Sequence, residues 1–325
     1  MAKGYGMLAI ILGHIYEGSA QIWLYSFHVP LFFFLSGYVF NPKCDFHSFI
    51  LRKSKSIIVP YFCLGMVLIM FNLLLMVYHN SFDIAKVIED VKCLMIQKRY
   101  NTIWFVACLF WLNIIFYLSW KLFKSDIMLA LLAVALTVLG LVYYKAAGKA
   151  VPWNIDVCFT AFPFFCCGYF FQKYKMIFEE KLSSKKISVP LFFIMGTINV
   201  VCGYFSYKIS GNRLDMFLNW YGAAPLTYLS AFAGIFAVII FSRFFTFRPI
   251  LYIGENSLLF MAWHQCIMIP IAEAVLRMLH FTLNGPSSSL CNWMYIAAEM
   301  LIIIVLLTGC NELIRRSRLK FMLGK

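Results

Sequence analysis

The stretch SIIVPYFCLGMVLIMFNLLLMVYHNSF, residues 56–82, decides the fold. It holds no charged side chain. A bilayer core is about 30 Å thick, and an α-helix covers it with about 20 apolar residues. Charge-free runs of that order lie to either side, at 18–42, 102–120, 127–144, 157–172, 187–207 and 216–242. Two more, 257–276 and 292–311, carry one carboxylate each, Glu273 and Glu299. A first run, 4–15, is short. We read about ten helical segments. No run alternates polar and apolar residues with period two over ten positions, which argues against a membrane barrel.

Composition agrees. Of 325 residues, 62% are hydrophobic and 13% charged, against about 25% charged in soluble domains. A water-soluble globule could not cover that apolar surface, so the fold class is an all-α polytopic transmembrane bundle. A disordered chain, a coiled coil and a disulfide scaffold are excluded. The net charge of +14 does not point to nucleic acid, because the 28 Lys and Arg fall in short clusters between apolar runs. They read as topology signals. Alternating ten spans from a cytoplasmic N-terminus puts 19 of them inside: Lys3 and the clusters within 43–55, 121–124, 173–186, 243–248 and 315–325. The other 9, including Arg213, fall outside, so both termini are expected in the cytoplasm. The loop at 281–291 has no basic residue, as an outside loop should.

The 11 cysteines show no CxxC or Cys/His metal spacing and mostly sit in apolar runs. They read as small apolar residues, and no metal is expected. There is no internal repeat and no linker, so residues 1–325 read as one membrane domain. The chain opens almost directly on its first apolar run. We therefore expect the first helix to be incomplete at its start. A signal peptide is the weaker reading, since Lys3 is its whole basic region and the polar His14 and Glu17 interrupt its apolar part.

Ionisable groups inside spans are costly and are functional candidates by default. His14 and His28 lie on consecutive, antiparallel helices at similar depth, counted at 1.5 Å per residue from their short connection. They could share a site. His28 could equally bond locally ahead of Pro30. Lys3 precedes His14 by three helical turns on roughly the same face, about 16 Å away along the axis. Arg52, Lys53 and Lys55 precede Pro60 and the third span. They are either positive-inside anchors or a clamp for cofactor phosphates. Trp104 begins a span, where an interfacial role is ordinary. Asn256 and Ser257 stand at a helix start, where capping is ordinary, and His264 lies two turns further in. Glu299 either orients a histidine or hydrogen-bonds across helices. Glu273 and Arg277, four apart, form a local pair.

Six blocks, taken in order, resemble the acyltransferase-3 membrane proteins. Lys3-Gly4 through Leu12-Gly13-His14 resembles the opening motif, a basic residue followed by ten others and a histidine, with Lys3 in place of the commoner arginine. Phe27-His28-Val29-Pro30 through Ser36-Gly37 resembles the second block in its fucose 4-O-acetylase-like form. Arg52 to Pro60, Thr102-Ile103-Trp104-Phe105, Ala161 to Tyr169, and Tyr252 to Leu258 with His264 resemble the later blocks. Glu255 stands where a lysine is common, and relatives carry a basic residue and an aspartate ahead of the Lys-Gly pair.

The resemblance implies a multi-pass enzyme of a bacterial plasma membrane. It would move acetyl from cytoplasmic acetyl-CoA to a hydroxyl of a cell-envelope glycan or its lipid-linked precursor. His14 would act as general base, assisted by His28 and, less directly, by Glu299. Lys3, Arg52, Lys53 and Lys55 would hold the CoA phosphates. Trp104 could stack on a sugar, with Asn256, Ser257 and His264 supporting the substrate site. The rival readings are a transporter or flippase of glycan precursors without covalent chemistry, and a pH-sensing subunit.

Overall fold

A computed structural model of the chain describes residues 1–280 and 290–324, so most of the 281–291 loop and Lys325 lie outside the described residues. The helices in chain order are α1 (Ala2–Ile15), α2 (Ala20–Tyr38), α3 (Phe46–Lys53), α4 (Val59–Tyr78), α5 (Ile84–Met95), α6 (Trp104–Leu122), α7 (Asp126–Ala147) and α8 (Ile155–Lys173). Then come α9 (Lys175–Ser183), α10 (Lys185–Ser210), α11 (Ala224–Phe244), α12 (Arg248–Glu255), α13 (Ser257–Trp263), α14 (Ile269–Met278) and α15 (Leu290–Arg316). Among the described residues there is no β-strand beyond an isolated bridge between Asp215 and Trp220. The all-α reading holds.

Eight helical segments are long and apolar enough to cross a membrane: Phe46–Tyr78, Asn101–Leu122, Asp126–Ala147, Pro152–Lys173, Lys185–Ser210, Ala224–Phe244, Ser257–Met278 and Leu290–Arg316. The first two helices stand apart from these eight. α1 has only 14 residues, and α2, with 19, carries Gln21, Ser26 and His28. Their polar content reflects their position. α2 lies at the centre of the bundle, with Leu31, Phe32, Phe33 and Phe34 all buried. α7 and α10 instead turn Val134, Val138, Phe193 and Ile194 outward, as lipid-facing helices do.

The central contact is α2 against α8. A side chain at Gly37 would overlap the Phe165 carbonyl, and one at Gly168 would overlap the Phe34 carbonyl. Small residues that let backbones meet are what hold membrane helices together once lipid has removed any hydrophobic drive. Gly168→Val is expected to cost about 1–3 kcal/mol, seen as a lower melting temperature in detergent. Gly196→Val on α10 should leave it unchanged, since nothing lies within 4 Å of that position.

The run 216–242 is not one helix. α11 begins only at Ala224, beside Pro225. The backbone before it turns through positive φ at Asn219 (59°) and Gly222 (54°). Met216 and Tyr221 are buried where this loop folds back onto the bundle, while Leu218 and Trp220 between them stay exposed. A buried ion pair anchors it: Arg99 binds Asp156, which also accepts a 2.7 Å bond from Asn219 Nδ2. Removing one partner of such a pair typically costs about 3–5 kcal/mol. Arg99→Leu should therefore destabilise the protein by more than removal of the exposed Arg277, whose partner is Glu273. Differential melting of the two variants checks this.

Two helices widen to π-turns, at Ser54–Ile58 and at His264–Met268, each ending two residues before a proline, Pro60 and Pro270. Proline has no N–H and its ring crowds the carbonyl four residues back, so the preceding turn loosens. Such bulges are frequent at functional sites. Here one holds Lys55 of the basic cluster and the other starts at His264.

Candidate active site

The last turn of α1, the first half of α2, the start of α6, the 213–218 loop and the His264 π-turn enclose a cavity of about 380 Å³. His14, His28 and His264 all line it, with Trp104 and Thr102. Three of the six histidines in the chain thus converge on one space.

Each ring is held by a different device. His28 Nδ1–H donates to the Leu24 carbonyl, one turn back. His264 Nδ1–H donates to the carbonyls of Phe260 and Met261, both at 3.0 Å. A carbonyl can only accept, so both neutral rings carry their proton on Nδ1 and leave Nε2 as an acceptor. The Nε2 of His264 is buried and has no hydrogen-bond partner among the described residues. His14 instead meets the Tyr25 hydroxyl through Nδ1 at 3.2 Å. Its ring centroid lies 5.1 Å from that of His264. Tyr25 sits between His14 and His28, at 5.7 and 4.7 Å between ring centroids. The local bond of His28 and its place in the same cavity as His14 therefore coexist.

Tyr25 and Arg213 are not singled out by the sequence. Arg213 counts there as an outer topology charge, yet its guanidinium lies 4.1 Å from the Tyr25 ring centroid and donates to Gln21 Oε1 at 3.0 Å. Gln21 in turn donates to the Gly13 carbonyl beside His14. The only sequence signal is the short α1–α2 connection, which makes residues near its two ends neighbours. Asp215 lines the cavity as well. Burial raises its carboxyl above the ordinary pKa, while the backbone N–H groups of Leu218 and Phe217 and the Arg213 charge pull the other way.

Trp104 is not at an exposed interface. It is buried at the cavity wall, its ring 6.0 Å from that of Phe217. Thr102 donates to the Ala262 carbonyl and so ties the start of α6 to the helix that carries His264.

The other anticipated residues lie elsewhere. Asn256 and Ser257 follow α12, which crosses the opposite end of α1. A Cβ on Gly254 would lie 2.9 Å from the Gly4 nitrogen and 3.3 Å from Lys3 Cβ. Asn256 Nδ2 donates to the Tyr252 carbonyl. Neither residue lines the histidine cavity. Glu299 is buried on α15 but also outside that lining. Its electrostatic neighbours are Glu273 and Tyr295, so the idea that it orients a histidine gains no support.

At that far end of α1 a basic cluster gathers. The charges of Arg52 and Lys3 both bear on Lys53. Arg52 and Lys53 lie over the Phe49 ring at 6.0 and 5.6 Å. Arg52 also reaches the Asn41 carbonyl. Asp45 caps α3 through the Ser48 N–H and so fixes the helix that carries them. Among the described residues none of Lys3, Arg52, Lys53 or Lys55 forms a salt bridge. Cations brought together without carboxylates favour an anionic ligand. Lys55 is exposed on the π-turn.

All eleven cysteines are free. Among the described residues, no group of three or more His, Cys, Asp and Glu side chains is placed to hold a metal ion.

A family model described as an acyltransferase domain matches residues 1–311. The chain belongs to the acyltransferase-3 family. It is a membrane acyltransferase, and the family implies an acyl donor and an acceptor. No curated protein and no solved structure matches it. For an acyltransferase of this family, the histidine cavity and the basic cluster at opposite ends of α1 are the two features that chemistry has to connect.

Proposed function

We propose that this single membrane domain transfers acetyl from cytoplasmic acetyl-CoA to a hydroxyl of a cell-envelope glycan or lipid-linked sugar. It would do so in a bacterial plasma membrane, with both termini inside, as a member of the fucose 4-O-acetylase-like branch. The observation that carries the reading is the convergence of His14, His28 and His264 on one cavity with Trp104 at its wall.

In this reading Lys3, Arg52 and Lys53 hold the CoA phosphates, and the pantetheine arm runs along α1 to the cavity. The acceptor hydroxyl lies near His14 Nε2, which takes its proton as the oxygen attacks the thioester carbonyl. The tetrahedral intermediate then collapses, the C–S bond breaks, and the imidazolium returns the proton to the leaving thiolate. For Nε2 to be free, His14 donates its Nδ1–H to the Tyr25 oxygen, so Tyr25 orients the base. The orphaned His264 Nε2 accepts from a substrate hydroxyl. Arg213 and Trp104 hold the acceptor.

Binding supplies the test. Acetyl-CoA and CoA should raise the melting temperature of the purified protein, and an envelope glycan fraction should then make it release free CoA thiol. A protein that moves glycan precursors without covalent chemistry would show neither effect, and that result would replace the enzyme reading by the transporter one.

A further inference from the structure

A second cavity, of about 350 Å³, lies where α6 ends, α7 begins and α8 ends. Trp120, Tyr169, Lys121 and Lys124 line it, with Asp126 and Lys173. The two aromatic groups are joined by a 2.9 Å bond from Trp120 Nε1 to the Tyr169 oxygen, which pairs their polar edges and leaves their apolar surface in the cavity lining. Asp126 is already saturated. Both of its oxygens accept from Lys173 at 2.7 Å, and Tyr174 donates to it at 2.5 Å. Lys121 and Lys124 are exposed and form no salt bridge among the described residues, so they carry the cavity's uncompensated charge. An aromatic wall beside two free ammonium groups suits a flat heterocycle that bears a phosphate.

A run of aromatic rings links the cavity to the basic cluster. Lys53 lies over Phe49, the Phe49 ring is 4.6 Å from Tyr117, and Tyr117 is 6.5 Å from Trp120. Tyr117 also bonds the Cys44 carbonyl, which pins α6 to the segment that carries Arg52.

We propose that this cavity receives the nucleotide end of the acyl-CoA donor, with the adenine against Trp120 and Tyr169 and the ribose 3′-phosphate against Lys121 and Lys124. The inference rests on the reading of CoA as donor. It divides the donor between two sites: the diphosphate at Arg52 and Lys53, and the nucleoside phosphate beyond the rings of Phe49 and Tyr117.

Calorimetric titration of the purified protein with CoA and with dephospho-CoA, which lacks the 3′-phosphate, tests it. Wild type should bind CoA about tenfold more tightly than dephospho-CoA. The double variant Lys121→Gln/Lys124→Gln should bind both equally, and Trp120→Phe should retain the discrimination. If wild type binds CoA but the double variant still discriminates by the same factor, the inference fails and the donor reading survives. If wild type binds no CoA, the donor reading itself fails. A third arm adds phosphatidylglycerol vesicles. Should the double variant lose vesicle-induced stabilisation while keeping its preference for CoA, the cavity belongs to a lipid headgroup and the inference is overturned.

Discussion

His14→Ala is expected to lower acyl transfer by about 100- to 10,000-fold, the usual contribution of a positioned general base. Stability should change little. His14 stands in the last turn of α1, and the residues that seat that helix are Met7, Ile10 and Ile11, all fully buried. The imidazole faces the cavity rather than the core, so an alanine leaves the packing of α1 in place. Initial rates of CoA release, measured with saturating donor and a glycan acceptor, check the prediction, and the melting temperature controls for folding. His264→Ala should be nearly as damaging, because it removes the acceptor that pairs with the substrate. The double variant should be little worse than the poorer single one, since groups that act on one reacting centre are not additive. A fully active His14→Ala would remove the base from this account.

The second large effect belongs to the other end of α1. Replacing Lys3, Arg52 and Lys53 together by glutamine should raise the KM for acetyl-CoA by about 10- to 100-fold, as expected from losing charge-assisted phosphate contacts. The KM for the acceptor should not move. Lys55→Gln alone should do much less, because Lys55 is exposed on the π-turn. Steady-state kinetics with each substrate varied in turn separate the two. An unchanged donor dependence would return these residues to the role of topology anchors.

These expectations differ in how far the sequence foretells them. The all-α bundle is legible from the charge-free runs alone, because only a helix satisfies its own backbone across hydrocarbon. The convergence of His14 and His28 on one cavity is legible too, since a short connection forces α1 and α2 to be antiparallel neighbours. The placement of His264 beside them is not, because it depends on how α13 packs against α1, some 250 residues away in the chain. Nothing in local sequence encodes that contact. Residues 216–223 read as membrane span because they are apolar, but apolar residues can equally roof a cavity, and only Gly222 and Pro225 hint at the turn. Arg213 is hidden for a similar reason. A cation in a short loop between spans looks like any topology charge, until its guanidinium is found over Tyr25. Asn256 and Ser257 belong to a block resembling one in known relatives, yet they follow α12, whose Gly254 meets the Lys3 end of α1, and only His264 of that block lines the cavity.

The most direct test of the central claim is sidedness of transfer. Purified protein in sealed vesicles, oriented by protease mapping, is given isotopically labelled acetyl-CoA on one face and an envelope glycan fraction on the other. The account predicts labelled O-acetyl groups only when the donor is on the Lys3 and Arg52 face, forming at least about 100-fold more slowly in His14→Ala. Equal labelling from either face, or labelling at the wild-type rate after the loss of His14, would contradict it.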